Sequence, residues 1–222
     1  MTMTPKQSLM DLFGLSEELA TQVLEAGEVQ TIEAGEILEV QGQELENFLF
    51  VFSGLISVYR QNFDGAERFA GFIPPGFMYS ESAILNQTKL YGRYHIQETM
   101  TALVLPISTV LELYENSLEF NKLTAQHLSQ KLLFTSRILF ISHERNSNRK
   151  VGLALDSLYR VTNKRSIPIS VEDLAGMLGM SRNTVSKTLD YWEEQGAITN
   201  SKARVTFNST EPFSSITDGM VF

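Results

Sequence analysis

The chain has 222 residues, of which 43% are hydrophobic, and its formal net charge is −8. This length and composition suit one large core or two modest ones and give no sign of disorder or repeats. There is no cysteine, which excludes disulfides, thiolate-bound zinc and iron–sulfur clusters. The N-terminus lacks a secretory pattern and no apolar run of about eighteen residues occurs, so we expect a cytoplasmic protein with no membrane contact.

The first predicted elements are helical and are followed by strands. Leu9 to Ala26 has the apolar spacing of a small N-terminal helical cap. From Val29 to about Ile107, short apolar or alternating runs are separated by turn signals. These turn signals are Gly35, Gly42, Gly54, Asp64-Gly65 and Pro75-Gly76. Many short strands punctuated by glycine predict a β-barrel or jelly roll.

The apolar period changes after Pro106. Neither glycine nor proline occurs from Leu111 to about His143, and the spacing predicts one long helix. An a/d seam that would pair with its own copy is formed by Leu118, Ala125, Leu128, Leu132, Thr135 and Leu139. Apolar side chains off this seam should pack on a partner helix and on the barrel: Leu133, Phe134, Ile138, Phe140 and Ile141. The alternative is a core helix of a monomer.

The C-terminal part carries a helix-turn-helix pattern within residues 171–190. Asn146 and Ser147 resemble a hinge and N-cap before a helix from about 148 to 161, and SIPIS predicts a short strand. Two apolar helical faces follow, formed by Leu174, Ala175 and Leu178, then by Met180, Val185 and Leu189. Gly179 lies between them, where the chain must turn with positive φ. The segment AITNSKARVTFN predicts a hairpin, which makes the motif winged, while residues 209–222 have no clear pattern.

Polar side chains at the start of the second helix predict a DNA-reading face. With Ser181 as the N-cap, base edges in a major groove would be read by Arg182, Asn183, Ser186 and Lys187. Ser181, Thr184 and the wing residue Lys202 complete the predicted DNA-binding set. The alternative is a helical hairpin whose polar face is only solvated.

The distribution of charge supports a nucleic-acid partner. Residues 1–146 carry 9 Lys/Arg against 18 Asp/Glu, whereas residues 147–210 carry 9 against 6. An acidic body with a mildly basic C-terminal part predicts DNA binding that weakens strongly with salt. Phosphate contacts are expected among Arg149, Lys150, Lys164, Arg165, Arg182, Lys187, Lys202 and Arg204.

This succession of elements resembles the CRP/FNR superfamily of bacterial transcription regulators. LFGLSEELATQVLEAG resembles its N-terminal helices, IEAGEILEVQGQELENFLFVFSGLISVY its roll strands, and LAGMLGMSRNTVSKTLDYWEEQGAI its DNA-reading unit. The resemblance implies an α+β fold with an effector-sensing, cyclic-nucleotide-binding-like β-roll (1–110), a dimerisation helix and hinge (111–146) and a winged helix-turn-helix domain (147–222). It also implies a homodimer on a palindromic DNA site, contact with RNA polymerase, and control by an effector in the roll.

The effector site departs from the cyclic-AMP-binding members of that family. Glu81 matches their ribose-binding glutamate, but Ser80 stands where they have glycine. Arg93 is followed by Tyr94 instead of a small hydroxyl residue, and two extra residues separate Glu81 from Arg93. The pair Thr135 and Ser136 resembles their adenine-contacting pair. Because Tyr94 would fill the space of the cyclic phosphate, cyclic AMP is not the expected effector.

Other effectors are limited by residue type. Of the three histidines only His95 falls in the expected pocket region, so heme is not expected, and no metal-ligand cluster is present. What remains is a small organic molecule, aromatic ones included, at a polar edge made by Tyr79, Ser80, Glu81, Ser82, Arg93, Tyr94 and His95. Arg93 would bind a carboxylate or phenolate, and Tyr79 or Tyr94 would stack on a ring.

Other functional classes compete with an effector-controlled regulator. One alternative is a ligand-independent regulator with a degenerate pocket. A second is a ligand-binding module that acts through protein partners alone. An enzyme is not expected, because nucleophile, phosphate-loop and metal motifs are missing from the sequence.

Overall fold

The computed structural model describes residues 3–61 and 65–217, without the side chains of Glu39 and Ser214. The chain forms two compact units, one of residues 1–65 and 71–130 and the other of residues 66–70 and 131–222. Both contain helices and strands, which confirms the predicted α+β class. The predicted domain bounds of 1–110, 111–146 and 147–222 stay predictions.

Two short helices, α1 (Pro5–Phe13) and α2 (Glu17–Ala26), begin the first unit. The sequence predicted one helical segment here, but the chain breaks between them because Gly14 adopts the left-handed conformation at φ 74°. Ser16 then caps α2, since its Oγ accepts a hydrogen bond from the Leu19 amide.

In the described part of the chain, the roll is antiparallel and is built from six strands and one short helix. The strand order is β1-β6-β3-β4, with β2 also on β6 and β5 also on β3. In chain order the elements are β1 (Glu28–Ile32), β2 (Ile37–Glu39), β3 (Asn47–Gln61), β4 (Glu67–Ile73), β5 (Met78–Tyr79), α3 (Glu81–Leu85) and β6 (Arg93–Pro106). The longest pairing joins β3 and β6, from Asn47 opposite Pro106 to Tyr59 opposite Arg93. The roll predicted from the glycine-punctuated pattern is confirmed.

Gly54 corrects one detail of the predicted roll. It does not end a strand, because β3 continues through it with register shifts on both sides. Its φ is 91°, and a Cβ atom at this position would overlap the Cβ of Met100. The glycine therefore allows a bulge and a close approach to β6. The turns predicted at Gly35, Gly42 and Gly76 are present, whereas Asp64 lies outside the described residues.

Alternation along β3 and β6 divides the first unit into two cores. One face packs against the helices and includes Phe48, Phe50, Leu103 and Leu105 together with Phe13. The opposite face forms the inner core of the roll, which consists of Leu49, Val51, Ile56, Ile73, Tyr79, Leu90, Tyr94, Ile96, Met100 and Ala102. Both faces of the sheet are therefore buried over much of its length.

The predicted long helix is two helices, α4 (Ile107–Asn116) and α5 (Leu118–Ser142). The prediction of a single helix from Leu111 is wrong because Ser117 is extended, at φ −119° and ψ 106°. Its hydroxyl accepts a hydrogen bond from the Phe120 amide at 3.1 Å and so begins α5. In the first half of α5, the side chains of Phe120, Leu123, Thr124 and His127 are buried.

The second unit contains the predicted winged helix-turn-helix. Its elements are the C-terminal half of α5, α6 (Ser147–Thr162), β7 (Ser166–Ile167), α7 (Val171–Leu178), α8 (Arg182–Glu194), β8 (Ile198–Ser201), β9 (Arg204–Phe207) and α9 (Glu211–Thr217). The strands pair in the order β7-β9-β8. Asn146 caps α6 through the Arg149 amide. The weakly patterned C-terminus contributes α9, whose buried Phe213 ring lies 4.9 Å from the Trp192 ring.

Candidate nucleic-acid interface and roll interior

Helix α7 and the turn after it are fixed by local hydrogen bonds. The Ser170 hydroxyl accepts from the Asp173 amide at 3.0 Å, and the Asp173 carboxylate accepts from the Ser170 amide at 3.0 Å. This reciprocal cap satisfies two backbone donors at the start of α7. Gly179 ends the helix in the left-handed conformation, at φ 63°. The turn therefore has the geometry predicted from the sequence.

Helix α8 presents the predicted reading residues at its exposed start. Ser181 caps the helix, because its hydroxyl accepts from the Thr184 amide at 3.1 Å. Val185 and Leu189 are fully buried and hold one face of α8 in the core. The rest of the predicted set divides by exposure: Arg182, Asn183 and Lys187 are exposed, whereas Thr184 and Ser186 are half-buried. The three exposed side chains are the ones free of the core to reach base edges.

Arg182 forms an ion pair across the motif with Glu172 of α7. Both side chains stay mostly exposed, so the pair is weak in water. Among the described residues, Lys187 and Lys202 have no ion pair. Arg182 is therefore already engaged with a carboxylate, whereas the two lysines are not. Sequence spacing did not reveal this pair.

The wing places Lys202 at an exposed two-residue tip between β8 and β9. Other basic residues counted as phosphate contacts are partly used inside the protein. The Lys150 ammonium donates to the carbonyl of Ser142 at 2.8 Å, and the Arg149 guanidinium lies 3.5 Å from the Glu144 carboxylate. Position along the sequence could not distinguish these residues from the solvated cations.

Tyr79 and Tyr94 fill the inner core of the roll. Their ring centroids are 4.7 Å apart in an edge-to-face arrangement. Tyr79 is fully buried and Tyr94 is 4% exposed, so neither forms the polar pocket edge that the sequence predicted. An aromatic pair in this geometry stabilises the core beyond its buried area.

The segment after β5 is tightly turned and buried. Ser80 has a positive φ of 64°, and Glu81 is only 1% exposed. The Ser82 hydroxyl is hydrogen-bonded to the hydroxyl of Tyr91.

Burial raises the pKa of Tyr114 to about 12, and the Glu81 carboxylate acts in the same direction. A negative charge on Glu81 disfavours a second one on the nearby tyrosine.

Arg93 and His95 lie on the face of β6 opposite to Tyr94, because consecutive strand residues point to opposite faces. In the register of the two strands, Arg93 lies directly opposite Tyr59 of β3, and His95 lies opposite Ser57. The His95 and Tyr59 rings are 5.3 Å apart. The predicted combination of Arg93 with stacking by Tyr79 or Tyr94 is therefore wrong. Tyr59, which sequence reasoning missed, is an aromatic side chain on the Arg93 face.

Thr135 and Ser136, the remaining predicted effector residues, belong to the second unit. Both are exposed on α5. The Thr135 hydroxyl donates to the carbonyl of Lys131 at 2.9 Å, within its own helix. The structure thus gives Thr135 a local partner.

The predicted dimer seam is largely solvent-exposed. Leu118, Leu132 and Leu139 are 70%, 66% and 62% exposed. Ala125 and Thr135 are also exposed, and Leu128 is half-buried. Of the predicted off-seam residues, Ile141 is 0% exposed, while Leu133 and Phe140 are exposed. Their packing on a partner helix and on the barrel stays a prediction. Several large apolar side chains of this one helix are thus left in contact with solvent.

Comparisons with known proteins agree with this architecture. Residues 29–117 match the cyclic nucleotide-binding domain, and residues 149–211 match the Crp-like helix-turn-helix domain. No curated protein matched the chain. A CRP/FNR-family transcriptional regulator of Thermus thermophilus is 19% identical with a TM-score of 0.68, over 86% of this chain and 99% of that one.

Two further solved structures show the same fold. The c-di-GMP-responsive global regulator CLP of Xanthomonas campestris is 15% identical with a TM-score of 0.71, covering 88% of this chain and 100% of its own. FixK2 of Bradyrhizobium japonicum is 15% identical with a TM-score of 0.70, covering 88% of this chain and 99% of its own.

A cyclic-nucleotide-binding-like roll joined to a helix-turn-helix defines a DNA-binding regulator of transcription. The chain belongs to the CRP/FNR superfamily of transcription regulators. Within the described part of the chain, no helix is both long and apolar enough to cross a membrane. The same residues contain no group of three or more His, Cys, Asp or Glu placed to hold a metal ion.

Proposed function

We propose that this protein is a homodimeric, sequence-specific regulator that reads a palindromic DNA site with α8 and responds to a small organic effector other than cyclic AMP. The observation that carries the proposal is the capped start of α8, which exposes Arg182, Asn183 and Lys187 beside a buried apolar face. In the proposal, the DNA-bound dimer acts in the cytoplasm through RNA polymerase, as the superfamily implies.

The residue types on α8 support base reading. Arginine and lysine can donate to guanine O6 and N7, and asparagine can pair with adenine. Arg182, Asn183 and Lys187 lie within the first two turns of α8, where recognition helices approach the groove. Lys202 on the wing is suited to a phosphate instead. We propose Ser181, Thr184 and Ser186 as supporting contacts.

The exposed leucine side chains on α5 support the proposed dimer. Leu132 and Leu139 lie on the predicted seam and are 66% and 62% exposed. A second copy would bury this apolar surface, and a two-fold dimer would match a palindrome. The two halves of the site would then be read by two equivalent α8 helices.

Sedimentation velocity tests the dimer. Leu132→Lys places like charges at the proposed axis and should convert the dimer to a monomer. Leu111→Lys is the matched control, because Leu111 is an exposed leucine on α4 outside the seam. An unchanged sedimentation coefficient for Leu132→Lys would show that the seam is wrong.

Selection from random DNA, followed by a salt titration, tests the DNA reading. We expect selection of an inverted repeat, and we expect the affinity of the protein for it to fall steeply between low and physiological salt. Enrichment of a non-repeated sequence would contradict the palindrome, and no enrichment would contradict DNA reading itself.

The effector part of the proposal rests on Arg93, which shares one face of the paired strands β3 and β6 with Tyr59 and His95. A guanidinium next to an aromatic ring suits an anionic aromatic molecule. Cyclic AMP is disfavoured because Tyr94 occupies the inner core of the roll. The filled core also favours a second candidate, a regulator that needs no ligand.

Thermal-shift assays with cyclic AMP, benzoate and 4-nitrophenol separate these candidates. We expect no shift with cyclic AMP, and a shift with an anionic aromatic that is lost in Arg93→Met but kept in Arg60→Met. Arg60 is a matched control because its guanidinium also lies against a tyrosine ring, at 4.6 Å from the centroid of the Tyr91 ring. A cyclic-AMP shift would overturn the effector part of the proposal, and no shift with any probe would favour the ligand-independent regulator.

A further inference from the structure

Helix α6 contains one buried carboxylate in an otherwise apolar stretch. Asp156 is 3% exposed, and its helix neighbours Val151, Leu153, Leu155 and Leu158 are fully buried. An ionised side chain taken out of water loses several kcal/mol of hydration. A leucine would satisfy the burial of this position more simply. The carboxylate therefore needs partners, and its presence calls for a reason other than stability.

Two arginines supply those partners. The Asp156 Oδ2 atom accepts from Arg137 Nη2 at 2.7 Å and from Arg160 Nε at 2.8 Å. Arg160 lies one turn along the same helix and its side chain is 59% exposed. Arg137 comes from the C-terminal half of α5, and its side chain is only 15% exposed. The Arg137 pair therefore joins two helices, whereas the Arg160 pair stays within one.

Further contacts make the junction of α5 and α6 a defined one. The Lys150 ammonium on α6 donates to the carbonyl of Ser142 at the end of α5, at 2.8 Å. Ile141 in the last turn of α5 is fully buried. The Glu144 carboxylate between the helices accepts from the Asn146 amide at 2.9 Å. The ion pair between Arg137 and Asp156 also restricts the angle between α5 and α6, because a buried charged hydrogen bond tolerates little change in its geometry.

Helix α6 is in turn fitted closely to the reading helix α8. A Cβ atom on Gly152 would overlap the Trp192 ring, so the indole packs directly on the backbone of α6. The Trp192 Nε1 atom donates to the carbonyl of Asn148 at 2.9 Å. The orientation of α6 on α5 is thereby passed on to α8.

From this chain of contacts we infer that Arg137 and Asp156 are positioning residues that fix the angle of α8 on α5. The inference rests on the proposed homodimer and its palindromic site. Since α5 would carry the two-fold axis, that angle sets the separation of the two reading helices and so the preferred spacing between half-sites. In some proteins, buried ion pairs of this kind are retained because they specify one conformation, and not because they add stability.

The matched variants are Arg137→Met and Arg160→Met. Each removes one arginine from the same carboxylate and one positive charge from the second unit, but only the first breaks the link between helices. The measurement is the affinity of the full-length dimer for palindromes whose half-sites are moved apart or together by one or two base pairs. The affinity for a single half-site is the reference for base reading. A thermal melt is the reference for folding.

We expect the wild type to prefer one spacing. In Arg137→Met this preference should fall by about tenfold, the size of one ordinary base-pair mismatch, with half-site affinity kept. Arg160→Met should keep the wild-type profile. An unchanged profile in Arg137→Met, or equal broadening in both variants, would overturn the inference.

The double variant Arg137→Met with Asp156→Leu distinguishes a loss of helix positioning from a folding defect. Replacing a buried pair by apolar residues is often neutral for stability, so this variant should stay folded and show the same broadened profile. A wild-type profile in the double variant would overturn the inference. If the wild type itself binds no palindrome, the proposed function has failed, and the result is distinct from both outcomes above.

Discussion

Helix α8 and strand β6 arrange neighbouring residues in opposite ways. On α8, Arg182 and Asn183 follow each other in sequence and are exposed together at the start of the helix. On β6, Arg93 and Tyr94 also follow each other, but the strand sends them to opposite faces. Sequence neighbours can therefore form one reading surface at a helix start, while the same grouping on a strand does not make one pocket.

The largest expected effect tests the role of Tyr94 in the filled roll. Tyr94→Ala should lower the free energy of unfolding by about 3–5 kcal/mol, because it leaves a cavity beside Tyr79 in a closely packed core. Urea denaturation of the full chain would measure it. Tyr191→Ala, at a position 37% exposed on α8, should cost far less. Equal losses would mean that Tyr94 is not a core residue and that the pocket is open.

The next effect tests the reading surface on α8. Arg182→Ala should lose about 1–3 kcal/mol on the selected site and relax the preference at one base pair. Lys202→Ala should weaken binding to all sequences alike, because the wing tip is suited to a phosphate. Fluorescence anisotropy on specific and random DNA would separate the two. Equal losses on both DNAs for Arg182→Ala would remove it from the reading set.

A third effect concerns alkaline pH and the buried segment around Glu81. In an unfolded chain Tyr114 ionises near its ordinary pKa of about 10, whereas burial and then Glu81 raise its pKa in the fold to about 12. The raised pKa contributes stability that is complete below pH 10 and is lost as the pH rises through 12.

Thermal melts at a series of pH values above 9 would measure this contribution. Tyr114→Phe should flatten the loss of stability between about pH 10 and 12, because it cannot ionise. Tyr191→Phe is the control and should keep the wild-type slope. A wild-type slope in Tyr114→Phe would contradict the assignment to Tyr114.

The smallest effect tests whether the ion pair of Arg182 with Glu172 competes with DNA. Glu172→Gln should raise DNA affinity at low salt by roughly two- to fivefold, since exposed pairs are weak, and the gain should fade as salt rises. Glu194→Gln makes the same change of charge at the far end of α8. A gain as large in Glu194→Gln would assign the effect to net charge alone.

Much of the second unit could be predicted from local sequence signals. The cap at Ser181, the left-handed Gly179 and the spacing of Leu174, Val185 and Leu189 each act within a few residues. Because caps and turns are formed by neighbours in the chain, their sequence pattern is nearly sufficient. The break at Ser117 was missed, since a serine inside an apolar helical pattern resembles any other helix residue.

The sequence by itself determined the coarse succession of roll, long helical segment and winged helix-turn-helix, the family and the residues at the start of α8, because those depend on short-range periodicity and capping. Only the tertiary structure decided that Tyr94 lies in the roll core while Arg93 faces Tyr59, and that Arg182 meets Glu172. The same holds for the link from Arg137 to Asp156. These outcomes depend on which side chains from distant parts of the chain occupy the same space, and on the local dielectric they create.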